Sequence, residues 1–398
     1  MRRAAGPGAL TQRAPAVELA GYLSAAVGVG EAARRYVQAL RSAGVGVLER
    51  DVPLEGRDAA RSAAPAGAIP DADAVAFNLL CLNPEQMVPY LGGPEAPPRA
   101  GRTNIGIWSW EVDVLPPGWR EAAAGLAEVW TYSRFAAERI AAGLDVPVLS
   151  FPPPLAVAED GALQPALGEL PAGFRVLVMF DYLSTLERKN PLGAIDAYRR
   201  AFEPDDGAVL VVKSVNGHHR PERRAEVEAA LAGRPDVALI DRTLSGDERD
   251  ALIAACDCCL SLHRSEGHGL PLAEAMALGK PVVATAYGGN MEFMNEANSY
   301  PVAWRPVGVG DGVEHYPAGA TWAEPDVEHA ARALREAREG TQAVARRAER
   351  ARADVEALLA PAVVGSEMRL RLERLARRPG LLLRRARDLR RSLGRHAG

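Results

Sequence analysis

Two carboxylates, Glu266 and Glu274, bracket the turn Gly267-His268-Gly269-Leu270-Pro271. The apolar run Cys258-Cys259-Leu260-Ser261-Leu262 before it reads as a short buried strand. The segment Leu272-Ala273-Glu274-Ala275-Met276-Ala277-Leu278-Gly279 after it has strong helix formers and a closing glycine. A strand, a glycine turn and a helix N-terminus make an anion cradle, because free backbone N–H groups and the helix dipole face the same point. Glu266 lies in the loop and Glu274 about one turn into the helix, roughly 6 Å further along its axis. Ionised carboxylates accept charge-assisted hydrogen bonds from vicinal hydroxyls. The ligand that suits such a site has a diphosphate in the middle and a hydroxyl-rich ring at each end, as a nucleotide sugar does.

A second group follows the strand expected at Arg175–Phe180. In Asp181-Tyr182-Leu183-Ser184-Thr185-Leu186-Glu187-Arg188-Lys189-Asn190-Pro191, Arg188 and Lys189 stand where a loop enters a helix, with Pro191 suited to its start. Lys213 ends the strand expected at Ala208–Lys213, where burying a cation without an anionic partner is costly. Cations at these strand ends suit the negative charge left on a departing nucleoside diphosphate. Gly28 and Gly30 precede a helix expected from Glu31 to Ser42, a weak phosphate-turn signal by itself. In Ile107-Trp108-Ser109-Trp110-Glu111, one tryptophan is expected in the core, and Trp110-Glu111 are expected to meet an acceptor sugar. The turn Tyr287-Gly288-Gly289-Asn290 closes the group, with Asn290 expected to touch the donor.

Glu266-x7-Glu274 within SEGHGLPLAEAMALGKPVVAT resembles the signature of retaining glycosyltransferases of family 4. The resemblance implies the GT-B architecture, two Rossmann-like domains facing across a cleft. It also implies that Glu266 contacts the donor hexose and Glu274 the nucleotide ribose. The amides of His268, Gly269 and Leu270 would hold the diphosphate, with His268 in place of the family's usual aromatic. Lys189 is the nearest match to the family's basic pair; Arg188 or Lys213 would compensate for an arginine whose place falls near Asp181 and Ser184. The Gly28–Gly30 turn would approach the donor phosphate or the acceptor. The implied activity is transfer of a hexose from a nucleoside-diphosphate sugar to a glycan or lipid-linked acceptor with retention. The departing phosphate oxygen takes the acceptor proton. Bacterial surface polysaccharide or glycoconjugate synthesis is the implied setting. A sugar-nucleotide epimerase and a non-catalytic glycan-binding module of similar fold are the alternative readings.

Strand and helix patterns alternate along the chain, which calls for parallel sheets covered by helices. Strands are expected at Val17–Leu23, Val47–Arg50, Ala74–Leu79, Asn104–Trp108, Glu128–Thr131 and Val146–Ser150. After Phe151-Pro152-Pro153-Pro154, a stiff connection, a second set runs through Arg175–Phe180, Ala208–Lys213, Val237–Asp241, Cys258–Leu262 and Pro281–Ala284. The expected organisation is an N-terminal lead-in over 1–15, an acceptor-side domain over 16–155 and a nucleotide-sugar domain over 156–345. Residues 346–398 return to the first domain and end in a basic tail.

The chain has 398 residues, 48% hydrophobic and 25% charged, and a formal net charge of -4, so nucleic acid is not an expected partner. From 369 to 398 eleven arginines oppose Glu373 and Asp388, a balance of +9 that fits contact with an anionic membrane surface. No apolar run is long enough to span a bilayer, which suits a cytoplasmic enzyme, peripheral on the inner membrane face. Neither a cofactor nor a metal is expected. Asp71-Ala72-Asp73 precedes its strand and so lies at the wrong end of it, and Cys256, Cys258 and Cys259 are expected to be reduced, buried thiols.

Overall fold

The computed structural model describes residues 15–54, 71–97, 101–155, 170–311 and 313–377. The expected lead-in, most of the low-complexity stretch after the proline run and the tail beyond 377 lie outside the described residues.

The first sheet is built from β1 (Ala16–Gly21), α1 (Gly28–Ser42), β2 (Gly46–Asp51), β3 (Val75–Cys81), α2 (Pro84–Gly92), β4 (Thr103–Ile107), α3 (Trp119–Ala123), β5 (Glu128–Thr131), α4 (Arg134–Ala141) and β6 (Val148–Ser150). Its parallel strands run in the order β2-β1-β3-β4-β5-β6. Val17, Leu19, Phe77, Leu79, Ile105 and Ile107 bury the face that α1 covers with Ala33, Tyr36, Val37 and Leu40.

The second sheet follows the same plan. Its elements are β7 (Phe174–Asp181), α5 (Leu186–Lys189), α6 (Pro191–Ala201), β8 (Ala208–Val215), α7 (Pro221–Leu231), β9 (Val237–Asp241), α8 (Gly246–Ala255), β10 (Cys258–Ser261), α9 (Leu270–Ala277), β11 (Val282–Thr285) and β12 (Tyr300–Val302). These strands are also parallel, in the order β12-β11-β10-β7-β8-β9. Next come an antiparallel hairpin, β13 (Trp304–Gly308) and β14 (Thr321–Pro325), and three helices, α10 (Val327–Arg338), α11 (Gln342–Leu359) and α12 (Pro361–Ala376).

Helix α11 packs on the second sheet through Ala351, Val355 and Leu359. Helix α12 joins the first core through Val364, Met368 and Leu372. Gly365 lies so close to the Ala39 carbonyl that no side chain fits between α12 and α1. Arg369 donates to the Ala43 carbonyl at 2.9 Å, and Arg371 pairs with the buried Glu128.

In open α/β sheets, ligands bind beyond the carboxyl ends of the strands, where the strand order reverses. In the first sheet that reversal falls between β1 and β3, and in the second between β7 and β10. The loops after these four strands begin at Tyr22, Leu82, Tyr182 and Leu262, and all four contribute to one cleft.

The structure moves several expected elements. α1 starts at Gly28, so both glycines lie in its first turn. β8 continues past Lys213 to Val215, because the neighbouring β7 and β9 carry the pairing on to Ser214 and beyond. The β13–β14 hairpin was not expected. Pro306 argues against a strand there, and tolerance of proline at a sheet edge is what admits one.

Candidate active site

The cleft encloses about 860 Å³ between the two domains. The Glu266 loop is held by backbone bonds to the turn that follows β11. The Gly289 N–H donates to the Glu266 carbonyl at 2.8 Å. A Cβ at Gly288 would meet that same carbonyl at 2.6 Å, with φ at +125°. The glycine pair therefore serves close backbone approach. Asn290 is fully buried beneath the turn and donates to the Thr285 carbonyl at 3.0 Å. It is absent from the cleft wall, so the expected donor contact is replaced by a supporting one. Gly269 (φ +93°) is the N-cap of α9, and Pro271 stands in the first turn, where its missing N–H costs nothing.

Arg188 and Lys189 arrive on the single-turn α5, flanked by two non-glycine residues in the left-handed region, Thr185 (φ +64°) and Asn190 (φ +48°). Asn190 is held there by its side chain, which caps α6 at Gly193 N (3.2 Å) and donates to the Leu262 carbonyl at 2.8 Å. The two cations converge on Glu266. Arg188 Nη1 is 2.8 Å from Oε1, and Lys189 Nζ is 2.8 Å from both oxygens. Burial alone would push the Glu266 carboxyl upward, but Lys189 and Arg188 outweigh it and hold the group well below the usual carboxylate range. Burial, helped by Arg188, lowers Lys189 from its ordinary value.

Glu274 is also paired. Its Oε1 accepts from Arg35 of α1, across the domain boundary, and lies 3.3 Å from Arg249 Nη2 of α8. Its Oε2 makes no hydrogen bond among the described residues, and Glu274 lines the cleft. Glu31 completes the cluster, bonding Arg34 (2.7 Å) and Arg35 (2.8 Å), with Arg249 at 3.7 Å.

Lys213 differs from the other cations. Only 4% exposed, it donates to the Ser214 carbonyl at 2.6 Å and has no ion pair among the described residues. Burial lowers its pKa to about 8. Nearby Asp241 accepts from Ser214 Oγ at 3.0 Å, and Asp181 from Leu183 N and Asn216 Nδ2. A buried cation that makes no ion pair among the described residues and faces a cleft suits an anionic ligand.

The remaining expected residues fall as follows. Ser184, Gly28, His268, Gly269 and Leu270 line the cleft. Gly30 lies behind it, where a Cβ would press on the Tyr22 and Ala25 carbonyls. His268 is buried, its pKa lowered to about 3 by burial and by Arg35, so it is a neutral ring at ordinary pH. Both tryptophans are buried, Trp108 in the core as expected of one of them, while Trp110 lines the cleft. Trp110 packs on Trp119 and Tyr316 with ring centroids 5.1 and 5.4 Å apart. Glu111 stays at the cleft, with Oε1 3.2 Å from Arg188 and 3.1 Å from the Tyr316 hydroxyl.

Arg35, Arg249, Glu31 and His315 were not singled out from the sequence. Arg249 had a legible signal: it sits one turn into the helix after β9, as Glu274 does after β10. Its helix also opens with a capping box, Ser245 and Glu248. Arg35 and His315 had none, because each reaches the site from the opposite domain or from the hairpin. Asp71 lies at the start of β3, remote from the cleft end. All four cysteines are free and buried. Among the described residues no helix is long and apolar enough to cross a membrane.

Comparison with known proteins agrees with this geometry. The architecture is that of the GT-B fold. It is shared with Anabaena HepE in complex with UDP and glucose (TM-score 0.64, 14% identity, 90% of this chain and 99% of that one). It is shared also with sucrose-phosphate synthase from Thermosynechococcus elongatus (TM-score 0.58, 15% identity, 91% and 99%). Residues 179–354 match the family model of the glycosyl transferases group 1. Over 208 residues the chain is 27% identical to trehalose synthase of Rubrobacter xylanophilus, covering 46% of this chain. The matched region spans about half the length of that curated relative, 48%.

Proposed function

We propose that this protein transfers a hexose from a nucleoside-diphosphate sugar to a hydroxyl acceptor with retention of anomeric configuration. The observation that carries this reading is the pair Glu266 and Glu274 at the two ends of one glycine turn, each neutralised by two cations, with Lys213, which makes no ion pair among the described residues, lining the same cleft. The α9 N-terminus would receive the diphosphate between the carboxylates. Glu274 Oε2 would accept from the ribose hydroxyls, and Glu266 would orient the hexose. Arg188, Lys189 and Lys213 would stabilise the charge that develops on the leaving group.

In the transfer, the acceptor oxygen bonds to the anomeric carbon as the bond from that carbon to the phosphate oxygen breaks. The electron pair stays on the diphosphate, which takes the acceptor proton on the same face. Both carboxylates are held by cations and positioned for hydroxyls, which favours this route over a covalent glycosyl-enzyme. The acceptor would be a glycan or a lipid-linked sugar, as in surface polysaccharide synthesis, and the reaction would need no metal.

A thermal-shift panel of UDP, GDP, ADP and TDP with their common sugars tests the reading, on wild type and E274Q. A ligand at about 100 times its dissociation constant adds about 2.7 kcal/mol of stability. A shift with one nucleotide, reduced in E274Q, supports the donor site. No shift with any of them overturns the reading.

A further inference from the structure

The acceptor half of the cleft is closed by an element of the other domain. The β13–β14 hairpin is strapped to the first domain by Thr321, whose N–H and hydroxyl bond Asp113 at 2.8 and 2.6 Å. The Tyr316–Glu111 bond and Trp322, buried in the first domain's core cluster, add to this hold. The hairpin is tied back to its own domain by Arg264–Glu324 at 2.7 Å and Arg220–Glu314 at 2.8 Å. Between these straps His315 adopts φ +74°, a conformation that non-glycine residues hold only when their surroundings fix it. Its imidazole is largely exposed and lines the cleft, next in the chain to Tyr316, which bonds Glu111.

The charge of this half is informative. Glu85 and Glu111 line it, and the one first-domain cation among the described lining residues is Arg34. Arg34 is occupied by the Leu23 and Ala25 carbonyls, each at 3.0 Å, and by Glu31 at 2.7 Å. The other cleft cations, Arg188, Lys189, Lys213 and Arg249, all stand on the second domain's side. A phosphorylated acceptor would bring about -1.5 to -2 charges against two carboxylates, where the nearest cation, Arg188, 3.2 Å from Glu111, is already engaged by Glu266 and the Ser265 carbonyl. Gln86, the Oε2 of Glu111, which makes no hydrogen bond among the described residues, and the imidazole of His315 are instead the donors and acceptors that read sugar hydroxyls.

We propose that Gln86, Glu111 and His315 form an acceptor subsite for an uncharged, polyhydroxylated sugar, with the hairpin supplying His315 as a specificity-determining residue. This rests on the transferase reading above and, of its two acceptor classes, commits to the free glycan over the lipid-linked sugar.

The test uses the full chain with the donor identified by thermal shift. Nucleoside-diphosphate release is measured above the hydrolysis background with neutral mono- and disaccharides, with hexose 1- and 6-phosphates, and with a polyprenyl-phosphate-linked sugar. Neutral sugars are expected to be the better acceptors. In H315A and Q86A the acceptor KM rises about tenfold, as for one lost hydrogen bond. Donor KM and donor thermal shift stay as in wild type, and H315N recovers part of the loss. A phosphorylated or lipid-linked acceptor used in preference to neutral sugars overturns the subsite, as does an unchanged acceptor KM in both variants. So does a protein that binds and hydrolyses donor but transfers to no neutral sugar. Absence of donor binding overturns the transferase reading itself.

Discussion

Replacing Glu266 with Gln separates what this carboxylate does for the fold from what it does for a ligand. The wild-type group accepts three charge-assisted hydrogen bonds, one from Arg188 and two from Lys189, all at 2.8 Å. Removing one partner from a buried ion pair costs about 3–5 kcal/mol, since the other charge is left stranded. Two features put E266Q at the lower end. Arg188 keeps Glu111 at 3.2 Å and the Ser265 carbonyl at 3.2 Å. Lys189, already lowered by burial, sheds its proton more readily than it remains a bare buried charge. About 3 kcal/mol corresponds to a fall in Tm of about 6–12 °C for a domain of this size.

The effect on ligands has the opposite sign. With the carboxylate gone, a bound diphosphate can take its place beside Lys189, restoring that group's proton, and beside Arg188, so nucleoside-diphosphate binding is retained or tightened, while hexose transfer falls about 10²–10³-fold. The acid limb of stability changes too. The folded carboxyl lies well below its ordinary 4.5, so its contribution is present above that pH and is lost as pH falls below it. E266Q should flatten that slope. Differential scanning fluorimetry across pH, with and without nucleoside diphosphate, and a coupled assay of its release give all three quantities. Transfer within threefold of wild type would refute the reasoning, as would nucleoside-diphosphate binding weakened as much as in E274Q.

Lys213 should set a basic limb on activity: with its pKa lowered to about 8, donor kcat/KM falls above that pH, and K213R moves the fall upward. Stability runs the other way, because the burial cost is full below about 8 and is relieved as pH rises toward the ordinary 10.5; a parallel decline of both would argue against the assignment. G30A should lower stability by about 1–3 kcal/mol, since the new Cβ presses on two backbone carbonyls. G28A, with open space at that position, should unfold like wild type and alter only ligand binding; equal Tm losses in both would contradict the packing.

Much of the second domain's site was legible from local pattern. Glu266, Glu274, Arg188 and Lys189 lie at strand ends or in the first turns of helices, where chain direction alone fixes that they face the cleft. The first domain was harder to read. Trp110 and Glu111, both expected at the acceptor, both line the cleft, but the Trp110 ring is almost wholly buried there. What covers the Trp110 ring is Tyr316, 206 positions later in the chain. Asn290 looked like a ligand contact because it closes a glycine turn; the structure turns its amide toward Thr285, under the loop it supports.

The sequence by itself determined the two sheets, their parallel sense and the donor-side turn, because hydrophobic period, glycine and proline placement and helix capping are local in origin. Only the tertiary structure decided the charge state of that turn. Arg35 reaches Glu274 from the other domain, Arg249 reaches it from the next helix over, and the hairpin brings His315 across the opening. These contacts join residues far apart in the chain and depend on how the two domains meet, a geometry that no local pattern encodes.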